Sequence, residues 1–388
     1  MPGAAPLDVD QVIASAEADR LSDADLAELV RVLAASGEVI EPAADHADIA
    51  STGGPSSLST LLCPLHLHAL GARVAKLGVA GRPAGGVDVL ATVPGYRPTL
   101  PRAEVEQALR TVRHVHLAAG PPWAPMDAEL FRRRQQVGAQ QVAPLVIASL
   151  LAKKLALGVT SAGLDVRVAA HGNFGADLAT ARENARRFVA VAGLVGIHAV
   201  CFITDAGRPY QPYIGRGEAL SAIASVIEGR AEGPLSAHVE DCRAMAARLL
   251  GRDAAVLESR DLATALGACL EAHGASLESF LERERAVAAE PHVEHRASRA
   301  GRLSYDLQRL RDLLVDRQKD DRTSRFADPA GVVLEAADGS MADSGQLLMT
   351  IRVRDGDELL ARQLALCVDV AGEEGAPAPV SALLEVVS

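Results

Sequence analysis

The longest apolar stretch of the chain is segment 141–157, QVAPLVIASLLAKKLAL, in which apolar residues recur at helical spacing. It is too short to cross a bilayer and too long for most strands, so it predicts a buried helix. Ser149 and Lys153 lie four residues apart and therefore share one face. Two interpretations fit this pair. Either Lys153 reaches solvent while Ser149 bonds back to a carbonyl, or both meet a partner inside the protein.

The same periodicity divides the rest of the chain into alternating helices and strands. The predicted helices are 8–18, 22–35, 58–70, 127–136, 177–191, 217–228, 236–250, 262–273, 277–288 and 304–319. The predicted strands are 73–77, 112–118, 164–169, 199–204, 332–336, 348–353 and 382–387. A β-α-β alternation implies parallel strands with right-handed crossovers.

This order predicts an α/β fold: a small all-helical domain, a larger α/β domain with a mixed, mainly parallel sheet, and a small C-terminal α+β appendage. We expect residues 1–40 with 124–158 to form the helical domain. Residues 45–120 with 160–300 would form the α/β domain, and 301–388 the C-terminal subdomain.

Composition narrows the class of protein. The formal net charge of −11 argues against nucleic acid or an anionic membrane as the main partner. The N-terminus, MPGAAPLDVD, lacks the pattern of a signal peptide, and no segment is long enough to span a bilayer, so we expect a cytoplasmic protein. The five cysteines show no CxxC spacing and are expected to be reduced and structural.

Two glycine-rich connections are candidate ligand loops. Residues 51–54, Ser-Thr-Gly-Gly, lie between an extended segment and a helix, and residues 78–86, GVAGRPAGG, carry Arg82. A strand, a glycine turn and a helix together offer backbone N–H groups to an anion, although glycine and serine also make ordinary turns.

Three arginines, 132–134, lie on the next predicted helix, where at most one or two can point inward.

The order of these motifs matches a known family. The matching blocks are ADIASTGG from Ala47, AKLGVAGRPAGGVDVLATVPGY from Ala75, WAPMDAELFRRR from Trp123, APLVIASLLAKKLALG from Ala143, LDVRV from Leu164 and FITDAGRPYQPYIG from Phe202. In these blocks the sequence resembles the pyrimidine nucleoside phosphorylases, the family of thymidine phosphorylase, whose fold is shared with anthranilate phosphoribosyltransferase.

The resemblance implies a pyrimidine base bound in the cleft between the small helical domain and the larger α/β domain. It assigns base binding to Arg134, Ser149 and Lys153, with Phe131 where the family usually has a tyrosine. Two cations and a hydroxyl can donate hydrogen bonds to the carbonyl oxygens of a pyrimidine. The cations also stabilise the negative charge that a departing base carries at N1.

The other half of the site departs from the family. The first loop of the phosphorylases reads Lys-His-Ser-Thr-Gly-Gly, whereas this chain has Ile49 and Ala50 in place of the lysine and histidine. A phosphate-binding serine corresponds to Leu77, and a threonine corresponds to Val87. Loss of a charge-assisted bond costs on the order of 1.5–3 kcal/mol, roughly ten- to hundredfold in affinity, so free phosphate is an unexpected substrate.

The sugar and phosphate loops retain several polar and glycine residues, namely Ser51, Thr52, Gly53, Gly54, Ser59, Thr60, Lys76, Arg82, Gly85 and Gly86. The family also has about four helices before its first glycine loop, which help to form a dimer, whereas this chain has room for about two. Whether the protein forms a homodimer is therefore left open.

The pattern predicts a transferase that acts on the N-glycosidic bond of a pyrimidine. The favoured hypothesis is transfer of an activated sugar from a nucleotide-diphosphate donor to cytosine or uracil, as in nucleoside antibiotic biosynthesis. Arg134 and Lys153 would act on the base, and His171 is the candidate general base unless it is an incidental loop residue. No cofactor or metal ligand is assigned, although a diphosphate could bring Mg²⁺.

Two alternatives remain open. One is phosphate-dependent cleavage of pyrimidine nucleosides, or hydrolysis in which water replaces phosphate. The other is a catalytically inactive homologue that binds a pyrimidine.

Overall fold

The computed structural model describes residues 8–169, 172, 174–253, 257–320, 324–354, 356–371 and 383–388. The strands are β1 (His46–Ser51), β2 (Arg73–Gly78), β3 (His114–Ala118), β4 (Ser161–Val168), β5 (His198–Asp205), β6 (Tyr213–Gly215), β7 (His292–Arg296), β8 (Gly301–Tyr305), β9 (Ala330–Leu334), β10 (Met341–Ala342), β11 (Leu347–Val353), β12 (Val368–Ala371) and β13 (Leu383–Val387). The helices are α1 (Val9–Glu17), α2 (Asp23–Ala34), α3 (Ser59–Ala69), α4 (Gly86–Leu90), α5 (Arg102–Thr111), α6 (Pro125–Val137), α7 (Ala143–Ala156), α8 (Leu178–Leu194), α9 (Arg216–Ile227), α10 (Gly233–Leu249), α11 (Ser259–Ala272), α12 (Leu277–Ala288), α13 (Leu307–Asp320) and α14 (Glu358–Ala365), with a 3₁₀ turn at Ala139–Gln141.

A six-stranded sheet with the order β13-β5-β4-β1-β2-β3 forms the centre of the molecule. Strands β3, β2, β1, β4 and β5 run parallel, and β13 is antiparallel at the edge. The predicted α/β fold is thereby confirmed. Because β1 and β2 are parallel neighbours, the glycine-rich loops that follow them leave the same edge of the sheet, where ligands bind in open α/β sheets.

Helix α7 is buried as the apolar pattern predicts. Leu145 and Leu151 are fully inaccessible, and the helix packs in one hydrophobic core with α2 and the sheet. Pro144 lies in its first turn, where the missing N–H costs no helical hydrogen bond. The helix is thus fixed along its length, and its polar residues have defined positions.

The C-terminal part forms two small antiparallel sheets, of order β10-β8-β12 and β6-β9-β11-β7. The predicted helix 304–319 is wrong at its start, because Ser304 and Tyr305 belong to β8 and pair with β12. Asp306 accepts a hydrogen bond from the Arg309 N–H at 2.9 Å, so the helix begins only after this residue. Strand β13 returns to the central sheet, and the division into three domains stays a prediction.

Two sequence predictions concern the chain as a whole. All five cysteines are buried, and none forms a disulfide. In the part of the chain that the structure describes, no helix combines the length and apolarity that a bilayer crossing requires.

Arg352 connects the C-terminal sheets to the α/β core. Its guanidinium donates to Glu218 Oε1 at 2.7 Å, Asp328 Oδ1 at 2.9 Å and Glu290 Oε2 at 3.0 Å. Glu218 and Asp328 are themselves buried, so this cation compensates charges that water cannot reach.

Replacing Arg352 with methionine should lower the free energy of unfolding by about 3–5 kcal/mol, because buried Glu218 loses this cation and buried Asp328 keeps only Arg283 as an ion-pair partner among the described residues. The control is Arg362→Met, which breaks the exposed pair with Glu358 and should change stability little. Urea unfolding of both variants gives the comparison. Equal midpoints for the two variants would contradict the structural role of Arg352.

Candidate active site

A cavity of about 230 Å³ lies between the two glycine-rich loops, α6 and α7. Most of the predicted site residues line it, namely Ser51, Thr52, Gly53, Gly54, Thr60, Lys76, Arg82, Gly85, Gly86, Phe131, Arg134, Ser149 and Lys153. Ser59 is buried behind the first loop, where its hydroxyl donates to Asp165 Oδ2 at 2.8 Å. His171 lies outside the described residues.

Ser149 and Lys153 meet on the cavity face of α7. The Lys153 ammonium donates to Ser149 Oγ at 2.7 Å and to the Ser149 carbonyl at 2.8 Å, and it forms an ion pair with Asp127 of α6. Lys153 is buried, so it does not reach solvent. Burial lowers the pKa of its ammonium, and Asp127 opposes that shift. With the ammonium facing these partners, the Ser149 hydroxyl proton remains available to a ligand.

Arg134 is the one arginine of the 132–134 run that turns fully inward. It donates to the carbonyls of Ala139 at 3.2 Å, Gln140 at 2.8 Å and Leu145 at 3.2 Å. These bonds use three of its five N–H groups, and the others remain for a ligand. Burial lowers the pKa of the guanidinium to about 10, so it stays charged at neutral pH.

The first glycine loop rests on a buried ion pair that sequence reasoning missed. Arg167 at the end of β4 binds Asp165 Oδ2 at 2.6 Å and the Gly53 carbonyl at 3.3 Å. Its guanidinium also stacks 5.0 Å from the Tyr210 ring centroid. Gly53 and Gly54 have φ values of +104° and +139°, which the loop can adopt because they lack a side chain.

The second glycine loop is held by Asp88. Its carboxylate accepts from the N–H groups of Gly81 at 2.8 Å and Arg82 at 3.2 Å, and it pairs with Arg216 at 2.5 Å. The Arg82 side chain extends over the Phe131 ring, with Cζ 5.9 Å from the centroid. Among the described residues Arg82 has no ion pair, so its charge remains available to a ligand.

The wall of the cavity is strongly positive although the chain as a whole is acidic. Its described residues include no aspartate or glutamate, and the cations are Lys76, Arg82, Arg134, Lys153, Arg167 and Arg311. A low-dielectric cleft lined by one sign of charge attracts ligands of the opposite sign. The arrangement therefore suits an anion at the loop end and hydrogen-bond acceptors at the α7 end.

The sequence analysis also did not predict several other residues of the cavity wall. An arginine at the carboxyl end of the apolar strand LDVRV is the feature that could have pointed to Arg167. Gln308 and Arg311 come from α13 in the C-terminal part, and nothing in their amphipathic helix distinguishes them. His116 of β3 lies on the wall against Gly86, where an added Cβ would be 2.2 Å from its ring. Burial, followed by the charge of Lys76, lowers the His116 pKa well below its usual value.

In the described ranges, no group of three or more His, Cys, Asp or Glu side chains is close enough to hold a metal ion. The polar groups on the described cavity wall include hydroxyl, ammonium, guanidinium and imidazole groups.

Comparison with known proteins places these residues in context. No family model matches the chain. It is 23% identical over 380 residues to a pyrimidine-nucleoside phosphorylase of Staphylococcus haemolyticus, covering 92% of this chain and 87% of that protein. It is 31% identical over 240 residues to a thymidine phosphorylase of Agrobacterium fabrum, covering 60% of this chain and 53% of that protein.

Among solved structures, the anthranilate phosphoribosyltransferase of Thermus thermophilus aligns with a TM-score of 0.47 at 17% identity, over 73% of this chain and 96% of that chain. The chain is a divergent relative of the pyrimidine-nucleoside and thymidine phosphorylases.

Proposed function

We propose that the protein transfers a pentosyl group between a pyrimidine base and inorganic phosphate. The observation that carries this proposal is the composition of one cavity wall. It joins a hydroxyl and two cations on α6 and α7 to a positively charged pair of glycine loops, with no carboxylate among its described residues. Relatives named as pyrimidine-nucleoside and thymidine phosphorylases support the choice of substrates.

The α7 end would bind the base. Ser149 Oγ and the free N–H groups of Arg134 are donors for the carbonyl oxygens of a pyrimidine. Lys153 holds the serine hydroxyl in place and adds positive charge beside it. As the glycosidic bond breaks, its electron pair moves to N1 of the base. The buried cations then stabilise the developing anion more than they stabilise the neutral nucleoside.

The loop end would bind the phosphate. An oxygen of hydrogen phosphate bonds to C1′ of the sugar while the bond from C1′ to N1 breaks, and the phosphate proton passes to the departing base. Arg82 and Arg311 lie at this end beside the backbone of the first loop, and both are cations on the wall. They would compensate the losses at Ile49 and Ala50, which made free phosphate an unexpected substrate on sequence grounds.

The absence of carboxylates from the described wall favours phosphate over water as the acceptor. Enzymes that hydrolyse glycosidic bonds commonly use a pair of carboxyl groups, one of which activates water or attacks the sugar. No side chain on this wall supplies that chemistry. The relatives do not support the predicted sugar transfer from a nucleotide-diphosphate donor or its place in antibiotic biosynthesis. The assay includes this reaction for comparison.

Ser149→Ala should lower kcat/KM for uridine or thymidine phosphorolysis about 10- to 100-fold, because a hydrogen bond to the base is lost. The matched control is Ser225→Ala. Ser225 is likewise a buried helical serine, but it bonds to the Ser221 carbonyl away from the cavity. The assay measures free base and sugar 1-phosphate by chromatography, with and without phosphate.

Three outcomes would overturn the proposed function. Equal release of base without phosphate would indicate hydrolysis. A product formed only from free base and a nucleotide-diphosphate sugar with Mg²⁺ would indicate sugar transfer. Binding of uracil or thymine without turnover of any nucleoside would indicate a binding protein.

Arg134→Met should weaken the binding of uracil or thymine at least about tenfold in calorimetry, because a charged donor is removed. It should also reduce stability, since three carbonyls lose their partner. Arg133→Met is the control, because Arg133 is partly exposed and pairs with Asp10 on the surface. Unchanged base binding in folded Arg134→Met would contradict the assigned base site.

A further inference from the structure

Two buried lysines share a single carboxylate beneath the cavity. Lys76 of β2 donates to Asp48 Oδ1 at 2.8 Å, and Lys154 of α7 contacts Asp48 Oδ2 from the other side. Asp48 is fully buried, and the two lysines are almost fully buried. With both amines protonated, the cluster carries one positive charge more than its own carboxylate can neutralise.

Such a surplus is costly in the interior unless a further anion approaches it. The other ionisable groups near Lys76 are Cys63 of α3 and His114 and His116 of β3, and burial lowers the pKa of His114 well below its usual value. His116 is kept neutral by burial and by Lys76 itself. No second carboxylate forms an ion pair with either lysine among the described residues. The surplus is relieved either when one lysine loses its proton, which burial favours for both Lys76 and Lys154, or when an anionic ligand binds.

Only one of the two lysines faces the place where a ligand can enter. Lys76 is part of the cavity wall, together with Ser51 and Thr60, whereas Lys154 is absent from the described wall. The backbone pairs between β1 and β2 are His46 with Arg73 and Ala47 with Val74. Beyond them, the Lys76 ammonium donates to the Ile49 carbonyl at 2.6 Å. It therefore lies beside the residue that replaces the loop lysine of the phosphorylases.

We propose that Lys76 binds the anionic co-substrate in place of the missing loop lysine, and that the surplus charge of the Asp48, Lys76 and Lys154 cluster is what the anion neutralises. This inference rests on the proposed function for the identity of the anion, phosphate. The site itself rests on the cluster geometry, so it can be tested by binding alone. Lys154 is a positioning residue, since it acts only through Asp48.

Lys76→Met should weaken the binding of inorganic phosphate about 10- to 100-fold in calorimetry, because one charge-assisted contact is lost. Lys319→Met is the matched control, since its ammonium pairs with Asp316 on the surface and lies outside the described cavity wall. It should retain phosphate binding within a few-fold. Equal phosphate affinity in folded Lys76→Met and Lys319→Met would overturn the proposal.

A second variant separates charge from folding. Lys76→Arg keeps a cation at the same position of β2 and should retain much of the phosphate affinity that Lys76→Met loses. Equal phosphate affinity in folded Lys76→Arg and Lys76→Met would show that the charge of Lys76 does not bind the anion. Phosphate binding by Lys76→Met at wild-type affinity would also reject the site.

The cluster predicts a dependence on pH. Burial lowers the pKa of the Lys76 ammonium to about 7, and Cys63 opposes that shift. Because Lys154 shares the Asp48 carboxylate with Lys76, a protonated Lys154 disfavours a second positive charge there. Anion affinity should therefore fall as pH rises, starting below the usual lysine range. In Lys154→Met, the Asp48 carboxylate pairs with Lys76 alone, which favours the protonated form of Lys76. The fall in anion affinity should therefore move to higher pH. Sulfate is the probe, because its charge is constant across this range.

The outcomes separate this inference from the proposed function. Phosphate binding that depends on Lys76 without any phosphorolysis would retain the anion site and reject the reaction. Phosphorolysis that is unaffected in folded Lys76→Met would retain the reaction and reject the site. A pH profile for sulfate that is identical in wild type and Lys154→Met would reject the sharing of Asp48.

Discussion

Buried carboxylates that lie one layer behind the cavity hold three of the six cations on its described wall. Asp48 binds Lys76, Asp127 binds Lys153 and Asp165 binds Arg167. None of the three carboxylates belongs to the described wall. Each cation is therefore oriented and partly neutralised from behind, while its exposed side can meet a ligand. Cations without any hydrogen-bond or charge partner would be too costly to bury, and cations paired with carboxylates on the wall itself would be less available to a ligand.

This arrangement ties the site to the fold. Asp48 and Asp165 lie on neighbouring parallel strands, and Asp127 lies in the first turn of α6, which packs against α7. The strands bring the glycine loops to one edge of the sheet, and α7 brings Ser149 and Lys153 opposite them. A ligand that spans the cavity would touch both groups of elements. The geometry thus suits a substrate with a neutral, hydrogen-bonding end and an anionic partner.

Most departures from the phosphorylase motifs lie at the loop end of this cavity. The α7 end keeps Arg134, Ser149 and Lys153, which the family resemblance assigns, although Phe131 stands where the family usually has a tyrosine. At the loop end Ile49 and Ala50 stand where the phosphorylases have a lysine and a histidine. Positive charge is placed there by Lys76 of β2, Arg82 of the second loop and Arg311 of α13. The electrostatic character of a site can persist when the residues that create it change, because a field depends on where charge lies and not on which strand supplies it.

The local sequence pattern predicted several features of the fold and of the candidate site. The apolar periodicity of α7 predicted its burial, the spacing of four placed Ser149 and Lys153 together, and the glycine loops indicated a ligand site. Tertiary structure alone decided which distant residues complete the site. The contact of Lys76 with Asp48, the position of Arg167 beneath the first loop and the approach of Arg311 from α13 join segments far apart in the chain. Periodicity records which face of an element is apolar, but it carries no information about which other element will pack against that face.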